Sequence, residues 1–153
     1  MTYPKLDMAV IELARRSKKS TETVRDRVSR VTSRLAEEFA GDYAQDMGIV
    51  FSPSSDGQEA TISTPFGDAR ATSNVYLGED GAYARYVFEK KGKDSIGRDS
   101  WHEVFHFEVN EYGKFRADIP FDDVQYFSVL APYREQYFML ALSITAAIGR
   151  SLV

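Results

Sequence analysis

Both histidines of the chain fall within one pentapeptide, His102, Glu103, Val104, Phe105, His106. On a helix, residues four apart share a face. This spacing can therefore bring two imidazoles to one zinc ion while the glutamate between them activates a metal-bound water. Under that reading His102 and His106 are metal ligands and Glu103 is the catalytic general base. A third protein ligand is still required.

The pentapeptide is the HExxH pattern of zinc metallopeptidases, and the order of elements is similar to that of a minimal zincin. There, helix and sheet come first, then the HExxH helix, then a helix that supplies a ligating glutamate. The resemblance implies zinc as cofactor and Glu135, near the start of the last predicted helix, as third ligand. The flanks depart from the family pattern, with charged Asp99 and Glu108 where it has uncharged residues.

The local pattern predicts a different conformation. Trp101, Phe105, Phe107 and Val109 occupy odd positions and His102, His106, Glu108 and Asn110 even ones, with Glu103 and Val104 as the exceptions. Such alternation is that of a strand. Extended at about 3.3 Å per residue, the segment would hold both imidazoles on one face roughly 13 Å apart. Zinc needs each nitrogen at about 2.0–2.1 Å. The balance is against an enzyme and against any resident cofactor.

The elements around this segment follow from length and periodicity. A chain of 153 residues can bury one core, whereas two halves of about 75 residues would each be marginal. A single α+β domain over 1–153 is predicted, helical at 1–47, sheet at 48–119 and helical at 120–153. Leu6, Met8, Val10, Ile11 and Leu13 mark a first helix, interrupted at Ser17, Lys18 and Lys19, with Ser20 capping a second. Along that second helix Val24, Val28, Val31, Leu35, Phe39 and Tyr43 form one apolar stripe until Gly48. The alternative is one long kinked helix. Arg27, Arg30, Arg34 and Glu38 occupy its wet side, and Asp26 stands four residues before Arg30 for a favourable pair.

After Gly48 the period changes to two. Turn residues at 52–57, 64–68, 78–81 and 110–113 separate strands at 49–51, 59–64, 69–77, 82–90, 101–109 and 114–119, with 90–100 as a mobile loop. Asp122 or Asp123 starts a short helical turn, and Pro132 opens a last helix to about Ser151 with a broad apolar face. The expected architecture is an antiparallel meander of five or six strands covered by a long N-terminal helix, or helical hairpin, and a long C-terminal helix.

Composition limits what such a domain does. No run of about 18 apolar residues is present, so a transmembrane helix is not expected. Without cysteine there is no disulfide, thiolate metal site or cysteine nucleophile, and the start Met-Thr-Tyr-Pro lacks a secretory pattern. A cytoplasmic setting is expected. The net charge of -4 divides into +5 over residues 1–34 and -9 over the rest. An acidic body does not attract nucleic acid or an anionic membrane, while the basic front can do so or can dock on the negative part of another copy.

Other motifs are few. Residues 13–16 and 20–28 resemble bacterial helix-turn-helix domains, which implies phosphate contact by the basic front. Phosphate-binding glycine loops and GxSxG are missing. Asp118, Asp122 and Asp123 form an acidic cluster that capping and solvation explain. Twenty aromatics include Tyr76, Tyr83, Tyr86 and Phe88 at alternating strand positions, suited to core pairs, a ligand cavity or an interface. The sequence reading is a small acidic binding protein, adaptor- or immunity-like in composition, whose partner is another protein. Self-association through the apolar stripe of the 20–46 helix, and a small-ligand-binding domain of helix-grip or cystatin-like type, are the further readings.

Overall fold

The computed structural model describes residues 8–78, 81–117, 125–128 and 134–150, with the backbone alone at 9, 10, 13, 125–128, 134 and 135. The chain runs α1 (Met8–Phe39), α2 (Asp42–Asp46), β1 (Val50–Pro53), β2 (Glu59–Thr64), β3 (Gly67–Gly78), β4 (Gly81–Lys93), β5 (Asp99–Asn110), β6 (Lys114–Ala117), β7 (Gln125–Ser128) and α3 (Arg134–Gly149). The strands form one antiparallel sheet in sequence order, each paired with the next. The expected α+β class, meander and terminal helices are all present. Among the described residues the sheet has seven strands, more than the five or six expected. The extra strand is Gln125–Ser128, in the region assigned to a helical turn starting at Asp122 or Asp123; those two aspartates and Asp118 lie outside the described residues.

No break occurs at Ser17, Lys18 and Lys19, so the helical-hairpin alternative is corrected to one continuous 32-residue helix. No glycine or proline stands between Met8 and Phe39, and lysine is a good helix former. Ser17, Ser20 and Val24 also keep the angular phase of the stripe, so the segment can run on at about 48 Å in total. The helix stops at Phe39, nine residues before the expected Gly48. At Gly41, where a Cβ would stand 3.1 Å from the Glu38 carbonyl, the chain turns into the short α2. Gly48, at φ +73°, then ends α2. The Asp26–Arg30 pair forms at 3.5 Å. Arg27 departs from the wet-face expectation, its side chain being only 18% exposed.

The stripe Val24, Val28, Val31, Leu35, Phe39 is buried against the sheet. α1 crosses β1, β3, β4 and β5, and α3 packs on α1, β3 and β5. The sheet residues that meet them differ along the strands. β2, β3 and the start of β4 present Ala60, Ala69, Ala71, Ala82 and Ala84, while β4 to β6 present Tyr86, Phe88, Phe105, Phe107 and Phe115. Small side chains admit a close helix, and the rings fill the wider gap, Tyr86 stacking on Phe107 at 4.9 Å. All these residues join one hydrophobic cluster. The sheet covers the apolar stripe, so that face of the 20–46 helix is not open to another copy.

Thr32 carries polar contacts into this core. The Thr32 hydroxyl lies 2.7 Å from the Gly57 carbonyl and 3.3 Å from the Tyr86 hydroxyl. It fastens the β1–β2 turn to α1. Gly57, at φ +72°, approaches so closely that a Cβ would meet Ser29 Oγ at 2.7 Å. Gln58 donates to the Arg25 carbonyl on the same helix at 2.9 Å.

Candidate functional site: the open face of the sheet

The segment holding both histidines is a strand, as its alternation predicts. Across the β4–β5 ladder, Phe88 faces Phe105 and Glu89 faces Glu103, so Val104 is an extra residue, a β-bulge. An extra residue reverses the side-chain parity beyond it. His102 is partnered with Lys90, on the parity of Phe88 toward the helices, and His106 with Val87, on the opposite face. The expectation that the histidines share a face is therefore corrected. Nε2 of His102 is buried with no hydrogen-bond partner among the described residues, whereas His106 is one-third exposed and its Nδ1 lies 3.5 Å from Glu103.

A single ion held by both imidazoles requires a helical turn at 102–106, and a bulged strand separates them instead. Glu103 turns to Arg85, Nη2 to Oε1 3.1 Å. The Glu135 backbone lies in α3, and its side chain is outside the description. Among the described residues no group of three His, Asp or Glu side chains could hold a metal ion.

The same bulge sets out the face of the sheet that no described helix covers. Every buried strand residue points to the helices, and the opposite parity of β3, β4 and β5 is half-buried or exposed. Three groups stand along it. At one end Tyr76 and Tyr83, directly opposite in register, stack at 5.7 Å between ring centroids. In the middle Glu103 joins Arg85 and His106. At the other end the Arg70 guanidinium lies 4.2 Å from the centre of the Trp101 ring while its Nε donates to Glu89 at 3.1 Å. From Tyr83 to Lys91, the register partner of Trp101, the face runs about 26 Å.

Trp101 and Arg70 sit two strands apart, on β5 and β3, with Glu89 of β4 between them. No sequence spacing encodes that contact. Tyr86 and Phe88 are core, unlike Tyr76 and Tyr83, so the four aromatics divide by strand parity. Burial pushes the Tyr86 hydroxyl up to about 12, and Tyr137 of α3 likewise to about 12. The Asp56 carboxyl is lowered by the Gln58 N–H and then by the Ser54 hydroxyl. Asp99 is lowered by a hydrogen bond from Lys93.

Two expectations about loops and helices change. The stretch 90–100 is mostly strand, leaving a five-residue turn at 94–98 in which the Asp94 carboxylate accepts from the N–H groups of Ile96 and Arg98. The residues assigned to a helix-turn-helix corner, 17–19, lie inside α1, so no turn separates two helices there. Beside α1 two open grooves meet at Leu77, one of about 1060 Å³ that includes Arg25, Asp56 and Tyr76, the other of about 800 Å³ that includes Arg16, Lys19 and Tyr112. No described helix is long and apolar enough to cross a membrane.

The chain is thus a two-layer α+β sandwich with one sheet face that no described helix covers. Comparisons with family models, curated proteins and solved structures each give no match.

Proposed function

We propose that this protein is a non-enzymatic binding protein whose partner is another protein, engaged on the open face of β3, β4 and β5. The observation that carries the reading is Trp101 held beneath Arg70 on a sheet face that no described helix covers. Tryptophan, tyrosine and arginine are the residues on which protein interfaces concentrate their energy. Here the ring is fixed in place by a cation and the cation by Glu89, so little rotamer freedom remains to be lost on binding. Arg85 and His106, both tied to Glu103, supply polar contacts between the aromatic ends.

A photoreactive phenylalanine analogue at Tyr83 or Val87, expressed in the protein's own cells, tests this. One discrete protein adduct from these positions and none from Ala14 on α1 is the expected result. Adducts only from α1, or from no position, overturn it.

The ligand-binding reading has one observation in its favour, the groove of about 1060 Å³ between α1 and β3. It lies at the edge of the layer, since rings fill the interior where helix-grip folds keep their cavities. Binding of a small molecule that is abolished by Tyr76→Ala and Arg25→Ala, with protein adducts absent, would make this the better account.

A further inference from the structure

The charges at the two ends of α1 run against its own dipole, although Glu12 and Glu22 flank the basic cluster and Arg25, Arg27, Arg30 and Arg34 lie between the ends. A helix favours anions near its N-terminus and cations near its C-terminus. In α1 the first turn has no acid and the last turn no base; Arg15, Arg16, Lys18 and Lys19 cluster toward the start, and Glu37 and Glu38 occupy the end. Asp42 and Asp46 of α2 extend the acidic end. Helix stability does not account for this order, so the reason is sought outside the helix.

Lys19 and Glu37 are eighteen residues apart, which is five full turns, so they stand on one line of the helix surface about 27 Å from each other. Both are exposed, on the side away from the buried stripe. No ion pair among the described residues reaches Arg15, Lys18, Lys19, Asp42 or Asp46; Arg16 pairs with Glu12 at 3.7 Å and Glu37 with Arg34 at 3.2 Å, both exposed pairs within the helix that can exchange for contacts across an interface, and Asp26 and Arg30, midway along the line, pair with each other. Beyond the basic band Met8 is 69% exposed, and beyond the acidic band Met47 is 40% exposed.

We propose that two copies of this chain associate side by side and antiparallel through the solvent face of α1, with Lys18 and Lys19 of each copy against Glu37 and Asp42 of the other. An antiparallel pair about the level of Val28 sets each basic band on an acidic one at both ends, and a parallel pair sets like on like. Charge pattern thus selects the orientation, as it does in helical zippers. The contact is isologous and closes as a two-fold dimer. It uses the helix layer and leaves the open sheet face free, so its fate is independent of the reading above.

Sedimentation velocity of the full chain tests it. At about 25 mM salt, where screening is weak, the expected mass is twice 17.3 kDa, falling to one chain at about 500 mM. The variants Lys18→Glu with Lys19→Glu, and Glu37→Lys with Asp42→Lys, should each be monomeric at low salt. Mixed in equal amounts they should recover the dimer, because the reversed charges then face each other. A wild-type chain that is monomeric at low salt, a dimer indifferent to both variants, or a mixture that stays monomeric overturns the proposal. Recovery in the mixture also shows that both variants are folded.

Discussion

His102 and His106 stand on opposite faces of β5, because Val104 is inserted between them as a bulge. Four residues apart in a regular strand they would share a face, and in a helix they could share an ion. The bulge removes both possibilities. It leaves one imidazole toward the helices and the other beside Glu103 on the open face.

Zinc titration should therefore give no one-to-one complex, and His106→Ala should leave any weak binding unchanged. Competition with a chromogenic chelator measures this. Stoichiometric zinc lost in the variant would mean that residues 102–106 are not a strand.

Deleting Val104 should be severe although the residue is only half-buried. Without it residues 99–103 flip, carrying Trp101 and Glu103 toward the helices and His102 to the open face. The expected loss is more than about 3 kcal/mol, since a charge would be buried without its partner. Val104→Ala keeps the extra residue and should cost about 1 kcal/mol or less. Chemical denaturation of the two variants separates register from side chain.

Gly57→Ala combines a left-handed backbone with a methyl driven against Ser29. The conformation alone costs about 1–2 kcal/mol. Displacing the turn also weakens the Gly57 carbonyl's bond to Thr32. Loss of roughly 2–4 kcal/mol is expected, and Thr32→Val should lose about 1–2 kcal/mol, both read from denaturant midpoints.

Alkaline stability should be set by Tyr86 and Tyr137. Their folded pKa values near 12 lie above the ordinary 10. A raised folded value means the stabilising difference is whole below pH 10 and is lost as pH climbs from 10 through 12. For fully buried Tyr86 this is about 2–3 kcal/mol. Absorbance near 295 nm should show these two tyrosines ionising together with unfolding, and Tyr86→Phe should move the transition to higher pH. Smooth titration of all nine tyrosines near pH 10 would contradict their burial.

Breaking the Glu103 cluster should matter little for stability. Arg85 and Glu103 are 39% and 43% exposed, so water screens the pair, and Glu103→Gln should cost below about 1 kcal/mol. The same variant should weaken partner capture on the open face, which a binding assay with the isolated adduct partner reads directly.

The sequence by itself determined the local elements. Period-four apolar spacing specified the buried stripe of α1, and alternation with glycine turns specified the meander, because both depend on residues close along the chain. It even carried the mark of the bulge, since Glu103 and Val104 are the two adjacent exceptions to the alternation of β5. What it left open was which side each exception takes, and that is settled by the register with β4. Continuity of α1 through Lys18 and Lys19 was compatible with local propensity, but tertiary structure alone decided that Tyr86 is core while Tyr83 faces outward, and that Arg70 covers Trp101 from two strands away. Those outcomes depend on groups distant in sequence that meet only when the strands pair. Burial then overrides the modest local preferences that a short window can express.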